Sequence, residues 1–314
     1  MRNAFAAAVT ELAASDPRIV VLSGDIGNRL FDKFRSSSPG RFFNCGVAEA
    51  NMTSMAAGIA MCGLRPFTYT ITTFATSRVM EQIRVDVCYH NVPVTIVGTG
   101  SGLSYASLGP THHSLEDLAM LRSLPNMTVI CPADATEVRL AVAAVLELNG
   151  PAYIRLGKKG EPVVHKTPPA FVIGRGITLR EGSDVCLLGT GNMVATALAA
   201  ADVLAIRGLS SKVVSLHTVK PLDDELLRDA FGRFRAVAVV EEHSRLGGLG
   251  SAVAEWLTTQ DFAPTARLCL FGTPDKFLCA SGSQSWFRQQ CGLDADSIAT
   301  RLVDVHTSAR RRPC

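Results

Sequence analysis

Short β-branched runs alternate with helical patterns along this chain, and that alternation constrains its fold more than any other feature. Ile19–Leu22, Val94–Val97, Val129–Cys131 and Tyr153–Leu156 have the character of buried strands. Asn3–Ala13, Ala48–Met61, Phe74–Tyr89, Leu115–Leu124 and Thr136–Leu148 have that of helices. Such alternation implies a mostly parallel sheet with helices on both faces. A second set follows, with strands at Val185–Leu188, Val213–Leu216, Ala236–Val240 and Leu268–Phe271. Its helices are expected at Thr196–Ile206, Asp223–Phe231, Ser251–Thr258 and Ala295–Leu302. Between the sets lies Lys158–Pro169, a linker with three prolines. The expectation is an α/β protein of two doubly wound, mostly parallel-sheet domains, residues 1–165 and 166–314.

Composition removes several classes of function. A net charge of +3 over 314 residues is too small to argue for nucleic acid or a membrane surface. The basic end, Arg310–Arg312, reads as a frayed tail. No run approaches the roughly 18 apolar residues of a membrane span, and no N-terminal stretch has the plan of a signal peptide. The nine cysteines are dispersed, without CxxC or zinc spacing. That usage points to reduced thiols and a cytoplasmic protein.

Glu49 is a lone carboxylate in Phe43–Gly58, a run otherwise made of small and apolar side chains. A buried carboxylate needs a partner or takes up a proton. From this run alone two readings stay open: a helix-terminus carboxylate facing water or paired with an arginine, and a functional acid. The small residues Ala50, Ser54, Ala56, Ala57 and Gly58 suit either core packing or close helix–helix contact.

In Gly109–Leu124, Gly109 and Pro110 break the chain before His112 and His113. Ser114 with Asp117 fits a helix capping box, so Glu116 and Asp117 read as structural. A loop histidine facing a cleft is the usual proton-transfer group near neutral pH.

The blocks GVAEANM, RPFTYTITTFATSRVMEQIR, GPTHHSLEDLAMLRSLPNMTVICPAD and GPAYIRLGK resemble, in order and spacing, the C-terminal half of transketolase. The match favours the split form, in which one chain carries the pyrimidine-binding and C-terminal domains. The resemblance implies a thiamine-diphosphate-dependent transferase of ketol or acyl units. It places Glu49 at N1′ of the cofactor's pyrimidine, Phe74 against that ring, and Asp25 near the cofactor. It places His112 facing the substrate, and Arg2 and Lys158 on the substrate phosphate, Lys158 replacing an arginine. It makes the glycines of EEHSRLGGLG turn and packing residues of the family's third domain. A carboxyl donating to N1′ helps only in its protonated form, which is the chemical use of a buried Glu49.

The resemblance also implies what must come from elsewhere. The family's diphosphate and metal motif is Gly-Asp-Gly followed by Asn. Gly24-Asp25-Ile26 with Asn51 lacks the second Gly and falls in the wrong domain. No metal ligand is therefore assigned here. Mg²⁺ and the diphosphate are expected on an N-terminal transketolase subunit, in an α2β2 assembly. Leu108 stands where the family usually has an aspartate that contacts a donor hydroxyl. Gly100 stands for a histidine, Ile71 for a second aromatic near the pyrimidine, and His113 for a glutamine. Leucine cannot accept a hydrogen bond, so an unusual donor or a modified sugar is expected. Two competing readings are the β subunit of a 2-oxo acid dehydrogenase and a non-catalytic paralogue that regulates a partner.

Overall fold

The computed structural model describes residues 1–27 and 29–309; the basic end Arg310–Arg312 lies outside them. The first sheet contains β1 (Ile19–Ser23), β2 (Phe42–Asn44), β3 (Arg65–Ile71), β4 (Thr95–Thr99), β5 (Thr128–Ile130) and β6 (Ala152–Leu156). The second contains β7 (Ile177–Arg180), β8 (Val185–Gly189), β9 (Ser211–Ser215), β11 (Ala236–Ser244) and β12 (Arg267–Thr273). β10 (Thr218–Lys220) follows β9 in the chain but pairs in the first sheet, antiparallel to β5. The orders are β10-β5-β6-β4-β3-β1-β2 and β12-β11-β8-β9-β7. Apart from β10 and the edge strand β7, every pairing is parallel. Strands β1, β4, β6 and β8 are buried throughout. Continuous apolar runs are what a sheet covered on both faces requires.

Four strands lack a signature that periodicity can detect. β3 carries Pro66, which cannot donate to a ladder, yet the strand sits between β1 and β4. Proline is tolerated there because it falls next to the strand's start. β2 and β10 have only three residues each, and β7 is an edge strand of mixed burial.

The expected helix Phe74–Tyr89 is a correction. It divides into Thr72–Ala75, a 3₁₀ turn at Ser77–Val79, a short turn at Met80–Gln82 and a π-helix at Ile83–Tyr89. Thr76 interrupts it: its hydroxyl donates back to Thr72 O at 2.7 Å, competing with the helical ladder. The small-residue helix Glu49–Met61 divides its faces. Ala56 and Ala57 pack into the core, while Ala50, Ser54 and Gly58 are exposed.

One apolar cluster is common to both sheets. It joins Leu118, Leu121 and Val129 to Cys186, Leu188, Val214 and Phe231. A buried ion pair of the first half lies at the same junction, and its arginine also reaches the second sheet. Arg155 on β6 donates through Nε to Asp117 Oδ2 at 2.7 Å, and through Nη2 to Ser114 O and Glu242 O at 2.9 and 3.0 Å. The Tyr153 hydroxyl also donates to Asp117 at 2.7 Å. Asp117 therefore does not complete a capping box with Ser114; the helix it opens has no side-chain cap. The attraction of Arg155 outcompetes a surface role. Burial pushes the Asp117 carboxyl up, but the Arg155 charge and hydrogen bonds outweigh it and hold it below its ordinary value.

Replacing Arg155 by Met leaves Asp117 buried without its counter-charge, at an expected loss of about 3–5 kcal/mol in urea unfolding. A depressed folded pKa contributes stability above the unfolded carboxylate range, about pH 4, and loses it as pH falls through the folded value. The gap between wild type and variant therefore narrows on acidification.

Candidate functional site

The carboxyl ends of β1, β3, β4 and β6 all point to one edge of the first sheet, where ligands of open α/β sheets bind. Gly24 follows β1, the Thr72–Ala75 turn follows β3, the segment 100–112 follows β4, and Lys158 follows β6.

Glu49 opens its helix and is 3% exposed. Its Oε2 accepts from Arg78 Nη1 at 3.0 Å. The arginine side chain is 45% exposed, so the pair is half in water. The Arg78 guanidinium carbon lies 4.0 Å from the Phe74 ring centroid. Phe74 meets the His112 ring edge-to-face at 5.5 Å, and His112 meets Tyr105 at 6.0 Å. Lys158 Nζ lies 4.5 Å from the Tyr105 ring centroid. Burial pushes the Tyr105 phenol up, and the nearby charge of Arg2 offsets part of that. A continuous row of contacts therefore runs from Glu49 through Arg78, Phe74, His112 and Tyr105 to Lys158, with the charge of Arg2 felt at Tyr105.

Gly24 makes the cradle at the Glu49 end. A Cβ there would lie 3.0 Å from Thr70 Oγ1 and 3.4 Å from Glu49 Cγ. Thr70 Oγ1 is buried and has no hydrogen-bond partner. A buried carboxyl, an orphaned hydroxyl and a half-buried aromatic ring at one strand end suit a flat, nitrogen-bearing heterocycle.

The expected site residues are not all in this row. Ile71 ends β3 beside it and is half-buried. Asp25 is exposed, with a φ of 57°, and accepts from Asn44 Nδ2 at 2.9 Å. Asn51 is exposed and its amide donates to Met55 Sδ at 3.2 Å. Leu108 is 51% exposed. His113 is buried, with its Nε2 3.2 Å from Ala106 O and its ring against Phe287 at 5.5 Å. Of the two adjacent histidines, only His112 meets the row.

Three participants escaped the sequence. Arg78 lies beyond the break at Thr76, in the Ser77–Val79 turn, and only the folded chain brings it over the Phe74 ring. Tyr105 has no local signal. Glu242 is the third and comes from the second sheet. It accepts from Leu103 N at 2.8 Å, and from Gln284 Nε2 at 2.8 Å and Arg288 Nε. The 101–109 segment is thereby fastened to the second half of the molecule. The neighbouring Glu241 accepts from Leu249 N and Gly250 N at 2.8 Å each, so Gly248 and Gly250 of EEHSRLGGLG pack around a carboxylate, while Gly247 packs on Ala119.

Residues 1–161 match the family model of the transketolase pyrimidine binding domain, and residues 174–298 that of the transketolase C-terminal domain. The chain belongs to the transketolase family. It is 38% identical to the 6-deoxy-6-sulfo-D-fructose transketolase subunit SqwH of Clostridium sp. (strain MSTE9), over 97% of this chain and 94% of that one. It is 34% identical to an apulose-4-phosphate transketolase chain of Phocaeicola vulgatus, over 96% of each. Among solved structures, a split gene transketolase described as an inactive beta4 tetramer superposes with a TM-score of 0.87 at 38% identity. That superposition covers 98% of this chain and 97% of the other. The transketolase family is thiamine-diphosphate-dependent, and a transketolase-like transferase subunit is what this chain is.

Gly24→Ala tests the cradle. The methyl would crowd Thr70 at 3.0 Å and touch Glu49 at 3.4 Å, so about 1–3 kcal/mol of stability is expected to be lost in thermal or urea unfolding. Cofactor-dependent activity of the assembled enzyme is expected to fall further than that loss of folded protein explains.

Proposed function

We propose that this chain is the pyrimidine-binding half of a two-chain enzyme that transfers a ketol unit from a ketose donor to an aldehyde acceptor. One observation carries the reading: the row from Glu49 to Lys158 along the carboxyl edge of the first sheet, with the orphaned Thr70 hydroxyl at the Glu49 end. Thiamine diphosphate, when bound, supplies the nucleophilic carbon and the electron sink. Glu49, in its acid form, donates its O–H to the pyrimidine N1′. Donation requires Arg78 to leave the carboxylate, and a half-exposed arginine leaves at little cost because water solvates it. Phe74 packs on the pyrimidine, with Ile71 beside it. His112 holds or moves a proton at a substrate hydroxyl. Arg2 and Lys158 hold a terminal anionic group, the chemistry for which paired cations are suited.

The N-terminal transketolase subunit, in this reading, supplies the diphosphate and Mg²⁺ ligands, and the assembly is α2β2. The exposed Ala50, Ser54 and Gly58 give that subunit a surface of small residues to approach. The two halves of this chain meet near residue 165, in the gap between the two family matches. The described cysteines form no disulfide, which suits a reducing cytoplasm. The exposed Leu108 cannot accept from a donor hydroxyl, so the substrate is a modified sugar rather than a central pentose phosphate. The names of the sulfofructose and apulose relatives support that choice.

With its partner, the Glu49→Ala chain is expected to keep its circular dichroism spectrum and to lose about 10²-fold or more in ketol transfer. Near-normal turnover would refute the assignment and favour a non-catalytic role. In calorimetry with Mg²⁺, the chain alone is expected to show no micromolar binding of thiamine diphosphate, and the assembled pair to bind it. Robust turnover of xylulose 5-phosphate with ribose 5-phosphate would count against a modified substrate.

A further inference from the structure

Gly100 has a φ of 75°, in the left-handed region that glycine favours. More constraining is what lies above it: a Cβ added there would sit inside the Tyr105 ring. A phenol ring is rigid, so position 100 and Tyr105 are one unit in which the ring occupies the volume of the missing side chain. The ring cannot retreat freely, because Glu242 holds the Leu103 amide two residues before it.

Tyr105 is half-buried, between His112 on one side and Lys158 on the other. Among the described residues its hydroxyl makes no hydrogen bond, and neither Arg2 nor Lys158 makes an ion pair. The neighbouring carboxylate, Glu161, lies against Gly157 and is already paired with the Met1 ammonium at 3.0 Å. Lys158 and Arg2 therefore keep their charge beside a free phenol, which makes an anion site of three donors. Burial keeps the phenol protonated at neutral pH, so it donates. The site lies at the end of the row remote from Glu49, where the far end of a substrate would reach.

We propose that Tyr105 is a specificity-determining residue, its hydroxyl joining Arg2 and Lys158 to bind the terminal tetrahedral oxyanion, phosphate or sulfonate, of the sugar substrate. The proposal rests on the ketol-transfer reading for its substrate, but not for its anion.

The test uses the enzyme assembled with its partner, and Tyr105→Phe and Gly100→Ala variants checked by circular dichroism. Donors are fructose 6-phosphate, 6-deoxy-6-sulfofructose, and hydroxypyruvate, whose only anion is a carboxylate lost as carbon dioxide and which has no tetrahedral oxyanion. For at least one oxyanion donor, Tyr105→Phe is expected to raise KM about tenfold, the scale of one hydrogen bond to a charged group. Its loss in kcat/KM should exceed that for hydroxypyruvate at least fivefold. The donor with the larger loss distinguishes phosphate from sulfonate. Gly100→Ala, by displacing the ring, should give the same discrimination, and the double variant should lose no more than either single one. Equal losses on all three donors would overturn the proposal. If wild type turns over no donor, ketol transfer itself fails. Calorimetry of inorganic phosphate and sulfate with the full chain then decides alone: tenfold weaker binding by Tyr105→Phe supports the site, and unchanged binding refutes it.

Discussion

Arg155 ties together the parts of the molecule that build the site. It rises from β6, whose end carries Lys158, and it reaches Asp117 behind the histidine loop. It also bonds the Ser114 carbonyl that follows the two histidines and the Glu242 carbonyl from the second sheet. One guanidinium thus fixes the distances between strand β6, the loop of His112 and the neighbouring domain. A lysine has three donors on a single nitrogen, but not the planar fork that reaches these separated acceptors. Burial makes the arrangement brittle: each polar group depends on the others for its hydrogen bonds.

Behind the side chains stands a geometric constraint. Parallel strands deliver all their carboxyl ends to one edge, so residues far apart in the chain become neighbours without long loops. Glu49, Phe74, His112 and Lys158 follow four different strands. The row has an apolar, carboxyl-bearing end and a cationic end. Such polarity orients a ligand that is a heterocycle at one side and an anion at the other.

The fold was legible where burial on both faces wrote continuous apolar runs, as in β1, β4, β6 and β8. It was illegible where tertiary context overrode local signals. Pro66 disguised a strand with neighbours on both sides, and Thr76 broke what looked like one helix. Asp117 sat at the spacing of a cap but was captured by a partner thirty-eight residues away. The candidate row was legible at Glu49, Phe74 and His112 because their blocks keep order and spacing. Arg78 lay inside such a block without a visible partner. Tyr105 and Glu242 act only through contacts the chain makes after folding, so no spacing encodes them.

The strand Thr218–Lys220 gives the molecule a dependence between its halves. It belongs by sequence to the second unit but closes the edge of the first unit's sheet at β5. Cut near residue 165, the first half would present that edge bare, an open template for pairing with other chains. On a ribosome, residues before the cut must wait for more than fifty further residues before their sheet is sealed. Separate evolution or expression of the two halves is therefore opposed by backbone hydrogen bonding as well as by the shared apolar core.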